Sequence, residues 1–350
     1  MTVRIPILID CDTGIDDSLA LLYAVASPEA DIVAVTCCSG NVEAQQVARN
    51  TLAVLELAGR TDIEVALGRT VPLVRPLEVT PETHGRQGLG HAELPPPSRP
   101  LSDRHAADLI IEEARRRPGE LTLVTLGPMT NLAVALQRDP ELPRRLRRLV
   151  FMGGAFRVPG NTTPTTEWNI HCDPEAAKRV FDAFGAATLR PLGLGLDVTE
   201  QARVLPDHVV QLARRAGSQP DDSIALAQGE HALETTRSVA TNPIVRYIAD
   251  ALRWYMEFHA RFDGFYGAFI HDPLALAAAL DPGLVTAQAV HVDVDTAGGL
   301  ADGQTIADWR GLTGKPANVD VAVAADAPEF LRRFIERVGG LAERRADVAI

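Results

Sequence analysis

Five short runs rich in aliphatic and β-branched residues punctuate the first half of the chain: IPILIDCD (5–12), ADIVAVTCC (30–38), IEVALG (63–68), LTLVTLG (121–127) and RRLVFMGG (147–154). Between and beyond them, apolar residues recur at i, i+3 and i+4, which predicts helices over 16–27, 41–59, 103–117, 129–138, 173–184, 243–261, 272–281 and 326–339. AVHVDVDT (289–296) and VDVAVAAD (319–326) read as late strands. Strands alternating with helices predict an α/β fold, an open, mostly parallel twisted sheet with helices on both faces. No break in composition divides the 350 residues, so one domain is expected over 1–350. Two polar stretches interrupt the alternation: 69–102, rich in Gly and Pro and long for a connection, and 215–242. Both are candidate mobile loops over a site at the carboxyl ends of the strands, where ligands of open α/β sheets bind.

Composition narrows the function. With 46% hydrophobic and 23% charged residues the chain reads as globular rather than disordered. A formal charge of −12 without a basic stripe argues against a nucleic-acid partner. The cysteines Cys11, Cys37, Cys38 and Cys172 lack CxxC spacing and lie in apolar stretches, as expected of reduced thiols in a cytoplasmic protein. The amino terminus lacks the pattern of a signal peptide, and no apolar run reaches membrane-spanning length, so no membrane partner is expected.

The chemistry concentrates where strands end. ILIDCDTGIDD (7–17) sets Asp10, Asp12, Asp16 and Asp17 within eight positions. Side-chain alternation points Asp10 and Asp12 to one side, and the helix dipole favours Asp16 and Asp17 in a first turn. Four carboxylates this close need a cation or many donors, and an oxygen-only set suits Ca²⁺ or Mg²⁺. An EF-hand is excluded, because a loop starting at Asp10 would place Gly14 fifth, Ile15 sixth and Leu21 twelfth. A haloacid-dehalogenase-type Mg²⁺ phosphatase also begins with Asp-x-Asp after a strand, but it expects Thr or Val at the position of Gly14 and a later lysine. Lys178 and Lys315 are the only lysines, and both sit poorly for that role.

Three later segments complete the pattern. LVTLGPMTNLAVAL (123–136) is a strand, a turn and a helix start, exposing the carbonyl of Leu126 and offering Thr130 or Asn131 as cap. In the segment 153–180, Asp173 and Pro174 open a helix, and Asn161, Glu167 and Asn169 precede it with groups suited to sugar hydroxyls. FIHDPLALAAAL (269–280) offers His271 and an Asp272 whose default reading is a helix cap.

Together, DCDTGIDDSLAL (10–21), CSGNVEAQQVARNTLAVLELAG (38–59), LGPMTNLA (126–133), EWNIHCDPEAA (167–177), HDPLA (271–275) and ADWRG (307–311) resemble the inosine–uridine-preferring nucleoside hydrolase family, from Ile7 to about Val338. The resemblance implies Ca²⁺-dependent hydrolysis of the N-glycosidic bond of ribonucleosides. It implies Asp12, Asp17, Asp272 and the Leu126 carbonyl as metal ligands, in a sphere of roughly eight oxygens. Asp10 would orient the site. Asp12 would also be the general base, and His271 would serve the leaving base. Asp16, Asn41 and Asn169 would hold the ribose diol, Glu167 and Asn161 the 5′-hydroxyl, and His84 and His259 the base. A homo-oligomer, dimer or tetramer, and a part in nucleoside salvage are implied as well. Thr13 stands where the family often has Pro, Leu126 where many members have Thr, and His259 near a position often aromatic. A catalytically idle nucleoside- or sugar-binding protein would carry the same metal site, and intact Asp12 and His271 speak against it.

Overall fold

The computed structural model describes residues 4–185, 189–219 and 236–346. Its centre is an eight-stranded sheet of β1 (Ile5–Cys11), β2 (Ala30–Cys37), β3 (Glu64–Leu67), β4 (Thr122–Thr125), β5 (Arg148–Met152), β6 (Leu192–Leu194), β9 (Val285–Val290) and β12 (Val319–Ala325). The spatial order is β3-β2-β1-β4-β5-β6-β12-β9, with every pairing parallel except β12 with β9. Two small antiparallel pairs stand apart: β7 (Arg203–Val204) with β8 (Ala268–Phe269), and β10 (Val292–Val294) with β11 (Thr305–Ala307).

The main helices are α1 (Ile15–Ala26), α2 (Ala44–Leu57), α3 (Ala106–Arg116), α4 (Thr130–Arg138), α5 (Pro174–Phe184), α6 (Pro206–Arg215), α7 (Pro243–Phe262), α8 (His271–Leu280) and α9 (Ala327–Arg344). Alternation along β1 divides them between the faces. Ile7 and Ile9 join the core packed with α1, α2, α7, α8 and α9, whereas Leu8 joins the core packed with α3, α4 and α5. The expected α/β sandwich is therefore present. Its chain order reverses between β1 and β4, and at such a switch point the loops diverge and leave a crevice.

Some expectations need correction. The run 289–296 is not one strand. It divides at His291, because Asn318 receives the N–H of Val292 at 2.7 Å and donates to its carbonyl at 2.9 Å, replacing a strand neighbour. The sequence reading left out β6, β7, β8, β11, α6 and most of β9. The stretch 69–102 contains a one-turn helix, Pro81–His84, followed by positive-φ glycines at 85, 88 and 90. Of the stretch 215–242, residues 220–235 lie outside the described residues.

Candidate active site

The four leading carboxylates take different positions around the end of β1. Asp10 Oδ1 accepts from Thr36 Oγ1 at 2.6 Å and from Asn131 Nδ2 at 2.8 Å, while Oδ2 is buried without a protein partner. One residue past the strand, Asp12 Oδ2 accepts the Asn41 N–H at 2.8 Å, and its Oδ1 is buried and unpaired. Asp17, in the first turn of α1, accepts the N–H groups of Asp12 (3.2 Å) and Gly14 (2.9 Å) and the Asn41 amide (3.1 Å). Asn41 thus stitches the two together, its backbone to Asp12 and its side chain to Asp17. The close fit demands glycine around Asp12: a Cβ on Gly40 would lie 2.0 Å from Oδ2, and one on Gly127 2.5 Å from Oδ1.

Asp272 arrives in the first turn of α8, where Ile270 occupies the cap position, so the capping expectation for Asp272 does not hold. Carboxylate oxygens of Asp16, Asp17 and Asp272 lie within 4.8 Å of one another. Asp12 stands outside that tight triplet and lines the same cavity as Asp16, Asp272 and Leu126. The Leu126 carbonyl accepts the Asn169 amide at 2.6 Å and retains a second lone pair. Thr130 and Asn131 do not cap α4 as expected. Thr130 Oγ1 donates to Asp173 Oδ2 at 2.8 Å, and Asn131 bonds Asp10, the Cys37 carbonyl and the Arg69 N–H. Asp173 does cap α5, accepting the Ala176 N–H at 3.0 Å.

Burial, and then the charge of Asp17, hold the protons of Asp12 and Asp16 above the usual carboxylate range, Asp16 at about 8. Burial followed by Asp16 and Asp17 does the same to Asp272, and burial raises Asp10 to about 7. The cluster holds more negative charge than its donors satisfy, and two oxygens, on Asp10 and Asp12, have no protein partner at all. An oxygen-only set of this kind fits a hard divalent cation. The alternative that needs a lysine finds none here: Lys178 and Lys315 both bond Asp293, outside the cavity.

Above the carboxylates opens a cavity of about 470 Å³, within the range of small-molecule sites. Asn161, Glu167 and Asn169 line one part of it. Glu167 caps the one-turn helix Trp168–Cys172 and accepts the N–H groups of Asn169, Gly154 and Ile170 at 2.8, 2.8 and 3.1 Å, so its place is fixed by backbone donors. Asn161 Oδ1 accepts the Trp168 N–H at 3.0 Å. His84, His259 and His271 line the same cavity with Tyr255, Phe258 and Phe269. His84 Nδ1 accepts the Ile15 N–H at 3.1 Å, and burial holds its imidazolium down to about 3. His271 Nδ1 meets the Thr199 hydroxyl at 2.8 Å. His259 Nδ1 bonds Asp263 at 2.7 Å; burial, the larger effect, holds its proton affinity below the ordinary histidine range, and Asp263 offsets part of that. Sequence reasoning missed Thr199 and Asp263 and took Asn131 for a helix cap, since each acts through a partner distant in the chain or one helical turn away.

Comparison with known proteins decides the relationship. Residues 7–332 match the family model described as inosine-uridine preferring nucleoside hydrolase. The chain is 38% identical over 338 residues to the pyrimidine-specific ribonucleoside hydrolase RihA of Citrobacter koseri, covering 96% of this chain and 98% of that one. The chain belongs to the inosine-uridine preferring nucleoside hydrolase family. Uridine nucleosidase 1 of Arabidopsis thaliana is 36% identical over 311 residues, covering 87% of this hydrolase and 84% of that protein. The solved purine-preferring ribonucleoside hydrolase from Gardnerella vaginalis superposes with a TM-score of 0.84 at 33% identity, covering 97% and 99% of the two chains. The protein is thus a ribonucleoside hydrolase, and its relatives differ by name in the base they prefer. Among the described residues of this hydrolase, no helix is long and apolar enough to cross a membrane.

Proposed function

We propose that this ribonucleoside hydrolase cleaves the N-glycosidic bond with the help of Ca²⁺, releasing ribose and a free purine or pyrimidine base. The observation that carries the proposal is the buried carboxylate cluster of Asp12, Asp16, Asp17 and Asp272 at a cavity large enough for a nucleoside. Asp12, Asp17, Asp272 and the Leu126 carbonyl would hold the ion, with Asp16 close enough to share it. Bound there, Ca²⁺ would polarise an attacking water and the ribose hydroxyls, and its flexible coordination accommodates more oxygens than Mg²⁺ allows.

The remaining work falls to the chain's own groups. The unpaired Oδ1 of Asp12 takes the proton of the attacking water. Asp16, Asn41 and Asn169 hold the ribose diol, and Glu167 and Asn161 hold the 5′-hydroxyl. Asp10, anchored by Asn131 and Thr36, sets the direction of the β1 end without touching substrate. Contacts that fit a flattened, oxocarbenium-like ribose better than the ground state lower the barrier. Activity in the cytoplasm, as a homodimer or homotetramer feeding base salvage, completes the reading.

The deciding experiment incubates the protein with inosine, uridine, adenosine and cytidine and measures ribose as reducing sugar. Chelation and Asp12→Asn should each abolish release. Release that survives both would defeat the mechanism, and the profile across the four nucleosides assigns the base preference.

A further inference from the structure

When the glycosidic bond breaks, an electron pair remains on the base, and a heterocyclic anion leaves slowly unless a donor meets that charge. Three histidines line the cavity, and their ring nitrogens are engaged differently. Nδ1 of His84 accepts the Ile15 N–H at 3.1 Å and must be a bare nitrogen to do so. Nδ1 of His271 meets a neutral partner, the Thr199 hydroxyl, at 2.8 Å. Of the three, His259 is the one bonded to a carboxylate, Asp263 Oδ2 at 2.7 Å.

Further features set His259 apart. It lies in the last turn of α7, and Asp263 is the residue that ends the helix, where the dipole favours a cation. The His259 side chain is 5% exposed and that of Asp263 44%, so the pair runs from solvent to the cavity wall. Tyr255 and Phe269 hold the ring at centroid distances of 4.6 and 4.8 Å. Its Nε2 is buried and has no partner in the protein, an unfavourable state until something pairs with it.

We infer that His259, oriented by Asp263, is the proton donor to the departing base, a role that the family resemblance assigned to His271. The inference rests on the reading of the protein as a hydrolase of ribonucleosides. As the C1′–N bond breaks, its electron pair stays with the base, and Nε2–H of His259 gives its proton to a ring nitrogen or carbonyl oxygen. The attacking water forms the C1′–O bond and passes its proton to Asp12. Solvent then returns a proton to His259 and removes one from Asp12, so nucleoside and water become ribose and neutral base with the enzyme unchanged. Asp263 is a positioning residue. It holds Nδ1–H toward itself, which turns Nε2 to the base, and its charge favours the imidazolium.

The test compares wild type with His259→Gln, Asp263→Asn and His271→Gln on two kinds of substrate. Uridine and inosine need help at the leaving group, whereas p-nitrophenyl β-D-ribofuranoside releases a stable phenolate without protonation. His259→Gln should lower kcat on the nucleosides by about 10²–10⁴-fold and on the aryl riboside by under about tenfold. Asp263→Asn should show a smaller loss with the same selectivity, and His271→Gln should affect both kinds alike. The inference is overturned if His259→Gln lowers both kinds equally or neither, or if the selective loss appears in His271→Gln. A wild-type protein that releases ribose from none of these substrates would instead overturn the hydrolase reading beneath it.

Discussion

Gly40 lies so close to Asp12 that a methyl group in place of its hydrogen would sit 2.0 Å from Oδ2, with the Pro128 ring 2.9 Å away on another side. Asp12 is held in place by the Asn41 N–H, and giving way to the methyl group would break that bond. Gly40→Ala should therefore displace the Asp12 carboxylate and lower kcat/KM by about 10²-fold, the scale of a misplacement near 1 Å. Circular dichroism should remain that of wild type. A fully active Gly40→Ala protein would show that the position of Asp12 is not critical.

Chelation should destabilise the protein as well as inactivate it. Asp12, Asp16, Asp17 and Asp272 are all buried, and without a cation their mutual repulsion opposes folding. Ca²⁺ at a hundred times its dissociation constant should add about 2.7 kcal/mol, seen as a melting temperature several degrees higher than in chelator. Asp272→Asn should shrink that difference. Melting curves that coincide with and without Ca²⁺ would count against the ion, and a larger rise with Mg²⁺ would make Mg²⁺ rather than Ca²⁺ the ion of the site.

Asn131 is the structural keystone behind Asp10. Its fully buried amide donates to Asp10 Oδ1 and the Cys37 carbonyl and accepts the Arg69 N–H. Asn131→Ala strips a partner from all three, and each buried group left unpaired costs about 1–3 kcal/mol. Urea unfolding should report a loss of about 3 kcal/mol or more. A loss near zero would mean that water replaces the amide.

His84 should leave a mark on acid stability. Its pKa is held down to about 3 in the fold against the ordinary 6.5 of a histidine, because burial excludes the charge. Between those values the unfolded chain binds a proton that the folded one refuses, so stability present above pH 6.5 is lost as the pH falls. Between pH 7 and pH 5 the wild type should lose about 2 kcal/mol more than His84→Gln. Equal losses in urea titrations at the two pH values would show that His84 charges freely within the fold.

Much of the architecture was legible because β-branched runs and helical spacing are local signals. β1, β2, β4 and β5 emerged from them, and with them the strand ends carrying Asp12 and Leu126. β6 did not, since Leu192–Leu194 is three residues long and is defined by neighbours on both sides, β5 and β12. The caps proposed for α4 were misread for a related reason. Asn131 stood where a cap is favourable, yet a buried carboxylate at Asp10 is the more demanding partner, and only the folded sheet brings the two together. The carboxylate cluster was visible in the segment 7–17, but the His259–Asp263 pair was not. An i, i+4 His–Asp spacing is common on helices, and nothing local says that one ring will line a cavity.

Every residue of α8 is buried, and its Ala-rich body packs against α1 and β5. The helix that delivers Asp272 is therefore also a central beam of the interior. A surface loop bearing the same aspartate could drift and be retuned by changes nearby, whereas here the carboxylate's position is inherited from the packing of Ala275, Ala277 and Ala278 deep behind it. Affinity for the proposed ion and the fit of the interior are in this way a single inherited trait. Enlarging one of those alanines should be felt first as weaker cation binding, at a distance from any group that touches the substrate.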